Sequence, residues 1–227
     1  MKRLTILAAA AIMFSSCFHV NTGFNYGGQG TVKGEGPVTC KSYELSGFDS
    51  VLINGHVDVN FVQADAFEVT VCSQPNVFEH LDVYMEGSTL VFKTKKNVRA
   101  EELDLTLRAP VLKKVEVNGA ADFDIPAGLV TDGDFSIEVN GAGDLDLKGI
   151  RCAALSIGVN GAADIETERI DVQTLSVQVN GAGDVTLDGK TVDASLEVNG
   201  AGDIDARALT ISGELNRRSS GLAKIRR

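Results

Sequence analysis

Apolar and polar residues alternate along most of the chain after residue 40, and this pattern predicts β-strands. Segments such as 155–159 and 175–179 place an apolar side chain at every second position, with other residues between them. Successive side chains of a strand point to opposite faces, so such segments are typical of strands that bury one face. The sequence shows no sustained helical period. We therefore predict that this part of the chain is all-β.

A pentapeptide of Asn, Gly, Ala, then Ala or Gly, then Asp recurs five times between these strand patterns. A Val precedes every copy, and successive copies are 22, 20, 20 and 19 residues apart. A fixed period near 20 residues indicates a solenoid or another repeat array. The turn residues that define the repeat are Asn118, Gly119, Asp122, Asn140, Gly141, Asp144, Asn160, Gly161, Asp164, Asn180, Gly181, Asp184, Asn199, Gly200 and Asp203.

Two architectures fit a strand, a turn and a second strand in each repeat. Asn-Gly is common in hairpins, so an antiparallel β-meander is the alternative. Hairpin turns, however, need not share all five residues, whereas stacked turns favour identity because each side chain lies over its equivalent. Stacked Asn side chains can hydrogen-bond along the column, and small residues let coils approach to about 4.8 Å. Gly supplies the backbone angles of the corner. We therefore predict a parallel β-helix with about 20 residues per coil.

The repeat array extends beyond the five clear copies. Residues 51–59 contain Asn-Gly followed by Asp and are predicted to be a degenerate first copy. Residues 220–225, with Ser and Lys in place of Asn and Asp, are predicted to be the last copy. Residues 60–112 contain strand-like segments without the signature. Such irregular repeats are expected where a coil must close the core.

The N-terminus has the features of an export signal, assigned to residues 1–16. Two basic residues precede an apolar segment, 4–14, that is too short to span a membrane. Two serines then precede Cys17, which resembles a bacterial lipobox and predicts lipidation of Cys17. Ordinary signal cleavage is the alternative. The sequence thus predicts an exported lipoprotein of the bacterial cell envelope, anchored at the outer membrane on its periplasmic or surface face.

A Gly- and Asn-rich segment, 17–39, is predicted to tether this anchor to a single β-helix domain, 40–227. The domain contains three cysteines, Cys40, Cys72 and Cys152. An oxidising compartment allows one disulfide and leaves one thiol, with the pairing open. None of the three has metal-ligand spacing, so a buried apolar role is expected for each.

Charge argues against nucleic-acid binding. The formal net charge is −10, and residues 17–216 carry 14 basic against 31 acidic side chains. Phosphate binding requires a basic surface, which this body lacks. Five basic residues fall within the last eleven positions. The acidity is most simply interpreted as a solvated surface.

The repeated Asp residues are the most chemically suggestive feature. Stacked carboxylates repel one another, and calcium could neutralise them. The calcium-binding nonapeptide, however, has a shorter period and a spacer before its Asp. We expect each Asp to accept backbone N–H groups of its own turn without a metal. His19, His56 and His80 are isolated, so we predict no catalytic residues, no cofactor and no enzyme activity.

These features resemble the head GIN domain family of autotransporter adhesin heads, common in Bacteroidetes-type lipoproteins. The resemblance covers residues 40–227 and rests on 48–55, the Gly-Ala-Gly-Asp turns and 220–223. It implies a right-handed parallel β-helix and does not imply a reaction. The expected function is an adhesin-like binding module for a glycan or for an envelope or extracellular protein. The alternatives are a structural component of the envelope and, less favoured, a polysaccharide-active enzyme.

Overall fold

The computed structural model describes residues 30–227, so the predicted signal peptide and most of the tether, with Cys17, lie outside the described residues. The described part forms 19 strands and one 3₁₀ helix, Pro75–His80. None of its helices is long and apolar enough to cross a membrane. The strands are β1 Val32–Lys33, β2 Thr39–Ser42, β3 Ser50–Gln63, β4 Glu68–Ser73, β5 Leu81–Glu86, β6 Thr89–Thr94, β7 Val98–Arg99, β8 Leu103–Ala109, β9 Lys114–Ile125, β10 Leu129–Val130, β11 Phe135–Val139, β12 Ala142–Lys148, β13 Ile150–Val159, β14 Ala162–Glu168, β15 Ile170–Gly181, β16 Val185–Gly200, β17 Asp203–Ile211, β18 Leu215–Gly221 and β19 Lys224–Arg226.

The repeats stack as parallel coils. Strand β11, which precedes a turn, pairs in parallel with β9 on one side and β13 on the other. Strand β12, which follows the turn, lies in the same way between β9 and β14. Each coil contains about 21 residues. The predicted parallel β-helix is therefore confirmed, and the antiparallel meander is wrong for the repeats.

The two degenerate copies are confirmed as coils of the same stack. Asn54 is in register with Asn118, so the first copy stacks directly on the first clear repeat although 64 residues separate them. At the other end, Ser220 is in register with Asn199. Lys224 similarly occupies the position of Asp203 in its coil.

Residues 60–112 close the first end of the stack. Strands β6 and β8 form a coil on the outer side of β3, again in parallel. This outer coil is covered by antiparallel strands, β5 on β6 and β4 on β8, and β2 then pairs with β4. Antiparallel pairing in the described residues is confined to this cap, which saturates strand edges that would otherwise be exposed.

The core is a set of rows of apolar side chains that stack from coil to coil. The Val before each of the five turns is fully buried, at 0% exposure. Five phenylalanines between residues 48 and 135 are also buried, namely Phe48, Phe61, Phe92, Phe123 and Phe135. Each such side chain stabilises the fold by about 1.5–3 kcal/mol relative to an exposed one. Strand alternation in the sequence is thus explained by one buried face per strand.

The three cysteines form one disulfide and leave one free thiol, an arrangement that the compartment argument allowed. Cys40 on β2 is bonded to Cys72 on β4, and the bond fastens the outermost strand of the cap. Cys152 is free and buried, and burial raises the pKa of its thiol to about 11. A buried apolar role is therefore confirmed for Cys152. It is wrong for Cys40, which is exposed because β2 lies at an edge of the sheet, and for its disulfide partner Cys72, which is partly exposed.

Candidate interaction face

The Asn residues of the repeats form one hydrogen-bonded ladder, as the stacked-coil hypothesis predicted. The side-chain amide of each Asn donates to the side-chain oxygen of the Asn in the preceding coil. The five donor–acceptor distances are 3.2, 3.0, 3.0, 3.0 and 3.1 Å, from Asn118 onto Asn54 through to Asn199 onto Asn180. The Ser220 hydroxyl continues the ladder at 2.8 Å from Asn199.

The ladder lies at the surface of the molecule. Asn160 and Asn180 are exposed, and the other members are partly exposed. Water can therefore hydrogen-bond to an Asn amide that loses its partner, so the loss leaves no buried unsatisfied group. Each bond of the ladder contributes about 0.5–1.5 kcal/mol to the free energy of unfolding. The ladder fixes the register of the turns and is not the main source of stability.

The Gly residues that follow the Asn residues are required by close packing of backbones. A Cβ atom built on Gly161 would overlap the carbonyl oxygen of Gly141, and the same clash recurs along the column. The Ala N–H after each Gly uses that carbonyl, as in Ala162 onto Gly141 at 2.8 Å. Gly119 and Gly181 also have positive φ. A positive φ therefore explains the choice of glycine at only some of these positions. The close approach of the backbones of neighbouring coils explains it along the whole column.

The repeated Asp residues also form a column, but their hydrogen bonds differ from the prediction. The Asp184 carboxylate accepts the backbone N–H of Asp203, one coil further on, at 2.9 Å. Asp164 and Asp203 accept from the next coil in the same way. The expectation that each Asp accepts N–H groups of its own turn is therefore wrong, because stacking places the backbone N–H of the next coil 2.9–3.3 Å from the carboxylates of Asp164, Asp184 and Asp203. These carboxylates link neighbouring coils.

A second row of acidic side chains runs beside the Asp column. Asp124, Asp146 and Glu166 come two residues after the repeated Asp, on the same outward face of their strands, and are in register. Together the two rows line an open groove of about 570 Å³. The sequence analysis missed this row. It could have been found, because an acidic residue follows the repeated Asp by two positions in three successive copies. We call the two rows the acidic groove; its carboxylates belong to Asp122, Asp124, Asp144, Asp146, Asp164, Glu166 and Asp184.

Crowding of like charges shapes the electrostatics of this face. Burial, then the charges of Asp146 and Asp122, raise the pKa of Asp124. One coil beyond Asp58, burial and the charges of Glu102 and Asp58 raise the pKa of Asp104 to about 6. Carboxylates in such a row repel one another, so a cation placed along the groove would be attracted by several of them at once.

Basic residues neutralise the acidic face at the last coil. The Arg226 guanidinium lies 2.6 Å from the Asp203 carboxylate. Arg207 pairs with Asp205, and this contact lowers the pKa of Asp205 to about 2. In the middle of the stack, where the acidic groove lies, the Lys148 ammonium is 4.0 Å from the Asp146 carboxylate, whereas the other carboxylates of the groove have no ion-pair partner among residues 30–227.

The histidines do not assemble a site. His56 occupies the position of the repeat Ala in the first copy and is exposed. His80 ends the 3₁₀ helix in the cap and lies 3.2 Å from Glu79. Among residues 30–227, no three His, Cys, Asp or Glu side chains are placed to hold a metal ion. His19 and the predicted lipidation site Cys17 lie outside the described residues.

Comparisons with known proteins agree with this architecture. A family model described as "Putative auto-transporter adhesin, head GIN domain" matches residues 47–168 and 136–226. A search of curated proteins finds no match.

Solved structures share the fold at low sequence identity. A "putative adhesin" from Parabacteroides distasonis is 21% identical, with a TM-score of 0.78 over 86% of this chain and 84% of that one. A "Putative lipid binding protein" from the same species is 18% identical, with a TM-score of 0.75 over 87% and 100%. A "putative adhesin" from Bacteroides fragilis is 18% identical, with a TM-score of 0.71 over 86% and 99%.

Proposed function

The chain belongs to the head GIN domain family, and we propose that it is a non-catalytic, adhesin-like binding module of the bacterial cell envelope. The observation that carries this proposal is the acidic groove. Equivalent side chains from consecutive coils present one continuous contact surface, which is how solenoids generally bind extended partners. The repeated carboxylates suit a scaffold that contacts a partner at many equivalent points.

The chemistry of the groove favours a basic protein segment as the partner. Asp122 and Asp144 have no hydrogen-bond or ion-pair partner among the described residues, so their carboxylates are available to a ligand. Sugar binding commonly uses exposed aromatic rings, and Tyr84 is the one large exposed aromatic side chain in residues 30–227. Tyr84 lies on β5 in the cap, away from the groove. We infer that the groove binds Lys- or Arg-rich segments of envelope or extracellular proteins.

Neutralising two groove carboxylates should weaken binding of an oligolysine peptide. We expect Asp122→Asn with Asp144→Asn to reduce affinity about tenfold and to flatten its dependence on salt, because two ion pairs are lost. Isothermal calorimetry at several ionic strengths measures both effects.

Lowering the pH should weaken binding of the oligolysine peptide to the wild type. Because its pKa is raised, Asp124 takes up a proton at a higher pH than an ordinary Asp and then loses its negative charge.

The matched control for this experiment is Asp132→Asn with Asp134→Asn. Both residues are exposed, lie in the loop before β11 and are outside the groove, and the net charge changes equally. The control should bind oligolysine like the wild type. Equal losses in the two variants would show that only overall charge attracts the peptide and would refute the groove as the site. Neutral dextran provides the test of a glycan partner, for which we expect no binding.

We further propose that the module is anchored through a lipid on Cys17. The supporting observation is the lipobox-like sequence before it. The first described strand, β1, pairs with β7, so the chain enters the stack at its capped end. An anchor there would leave the groove and the last coil extending away from the membrane.

Replacing Cys17 with Ser should release the protein from the membrane fraction. The thioether-linked lipid requires the cysteine sulfur, so Cys17→Ser should also abolish incorporation of labelled palmitate. Fractionation of cells that express either form measures the first effect, and radiolabelling measures the second. Cys152→Ser serves as the control, because Cys152 is a buried thiol far along the chain. Unlabelled wild type, or a Cys17→Ser variant that remains in the membrane fraction, would contradict the anchor.

A further inference from the structure

The outer coil, formed by β6 and β8, has an enlarged corner. Lys93 of β6 is in register with Asn54 of β3, and Asp104 of β8 is in register with Asp58. Four positions separate the two register points on β3, whereas eleven positions separate them on the outer coil. The outer coil therefore contains seven additional residues at this corner. In repeat proteins such insertions form loops on one face, which is often the binding face.

The enlarged corner leaves space that the other corners lack. Between the repeats the backbones are in direct contact, so that a Cβ atom on Gly119 would overlap the carbonyl oxygen of Gly55. The outer coil does not continue this column. The Lys95 N–H donates to the His80 carbonyl at 2.8 Å, and β7 pairs with β1, so the chain is drawn away from the corner. A pocket of about 320 Å³ lies between this segment and the first two corners of the repeat.

The pocket contains a hydroxyl group without a hydrogen-bond partner. Thr94 lines the pocket and is only 6% exposed, and its hydroxyl lies against Gly55, where an added Cβ would overlap it. The hydroxyl makes no hydrogen bond among residues 30–227, and in this part of the chain no fully enclosed side-chain oxygen or nitrogen lacks a partner. The Thr94 hydroxyl therefore opens into the pocket. Buried polar groups are normally hydrogen-bonded, so this one is available to a group that enters the pocket.

The ionisable groups at the pocket are basic. Lys96 and His56 are among the residues that line it, and no Asp or Glu is. The adjacent Lys95 pairs with Asp82 at 2.9 Å, whereas Lys96 makes no ion pair among residues 30–227. In a chain of net charge −10, a concave site with an unpaired ammonium group and no carboxylate attracts an anion.

The walls of the pocket favour an organic anion. They include Val98, Ala120 and the glycines of two corners, Gly55 and Gly119. Sites for small molecules are mostly apolar, with a few placed polar groups, and begin at about 300 Å³. An inorganic phosphate would leave the apolar walls without a contact, and phosphate sites usually offer several N–H donors or an Arg. One ammonium, one hydroxyl and apolar walls suit a carboxylate on a small apolar body.

We propose that the pocket under the enlarged corner of the outer coil binds a small organic carboxylate through Lys96 and the Thr94 hydroxyl. Both groups donate to the carboxylate, and Val98 and Ala120 contact the apolar body of the ligand. This chemistry occurs in free organic acids and at the C-terminus of a peptide. The pocket shares no lining residue with the acidic groove, so the inference does not depend on the proposed partner of the groove.

Hexanoate and hexanamide are the probes that test the carboxylate, because they have the same apolar body. The full chain, labelled with ¹⁵N and solubilised in a nonionic detergent, is titrated while the backbone amide signals of Gly55, Thr94 and Gly119 are followed by NMR. We expect a dissociation constant of about 1 mM for hexanoate. Hexanamide should bind about tenfold more weakly, because it cannot form a charge-assisted hydrogen bond with Lys96.

Variants test the two proposed donors. Lys96→Gln should weaken hexanoate binding about tenfold. Thr94→Val keeps the shape of the side chain and should weaken binding about threefold, without lowering the unfolding midpoint, because the hydroxyl has no partner to lose. Lys95→Gln is the matched control, since it removes the same charge from the next residue, which does not line the pocket. It should bind hexanoate like the wild type.

Three results would overturn the proposal: no binding of hexanoate, equal binding of hexanoate and hexanamide, or equal weakening by Lys96→Gln and Lys95→Gln. The last would show that only overall charge attracts the acid. Acetyl-Gly-Gly-Leu with a free or an amidated C-terminus distinguishes the two sources of the carboxylate. If the free peptide binds at least as tightly as hexanoate and the amidated one does not, the pocket is a site for peptide C-termini. Weaker binding of the free peptide than of hexanoate assigns the pocket to free acids.

Discussion

Gly161→Ala is expected to lower the free energy of unfolding by about 3 kcal/mol. The new methyl group would overlap the backbone carbonyl of Gly141, which no side-chain rotation can relieve. That carbonyl accepts the Ala162 N–H at 2.8 Å, so the two coils cannot separate without losing a backbone hydrogen bond. Urea unfolding of the variant and the wild type measures the difference.

Gly158→Ala is the matched control for Gly161→Ala. It lies three residues earlier in the same coil, and its added Cβ would meet Ile137 O at 3.9 Å, an ordinary contact. Glycine in a strand interior is itself unfavourable, so this change should be neutral or slightly stabilising. Similar destabilisation at the two positions would show that the column of glycines is not held by close approach, contrary to the structure.

Removing the disulfide is expected to lower the stability of the oxidised protein by about 3–4 kcal/mol. The bond joins positions 32 residues apart and therefore restricts the unfolded chain considerably. It also fastens β2 to β4, the strands that cover the outer edge of β8. Cys40→Ser with Cys72→Ser, compared with the oxidised wild type by urea unfolding, measures the loss.

Reductant provides the control for the disulfide experiment. Reducing the wild type should bring its unfolding midpoint close to that of the double Ser variant. The double variant itself should not respond, because its remaining described thiol, Cys152, is already free. The contrary result is an unfolding midpoint of the wild type that does not change although the disulfide has been shown to be reduced. It would mean that the cap contributes little to global stability.

Features that repeat in the sequence were predicted correctly because each copy repeats the same local requirement. The identical Asn residues of the repeat are explained by side chains that bond directly to one another, and the structure shows this ladder from Asn54 to Asn199. The direction of the Asp hydrogen bonds was not predictable in this way. The carboxylate of Asp184 can reach N–H groups of its own turn or of the next coil, and only the stacked geometry selects the second.

Features that depend on pairing between distant segments required the tertiary structure. The sequence identified residues 51–59 as a copy of the repeat. It could not show that β3, which contains them, would pair with β9 on one side and with β6 and β8 on the other. Nor could it choose the Cys40–Cys72 pair among three cysteines. Strand edges carry the same N–H and C=O groups in every segment, so local pattern does not specify which edges meet.

By itself, the sequence determined that the body is a parallel stack of about 20-residue coils, because alternation and an invariant corner are properties of each segment. It also determined the inward and outward faces of the strands. The tertiary structure alone decided what those faces become together. Outward Asp and Glu residues, unremarkable in one strand, form the acidic groove once the coils align.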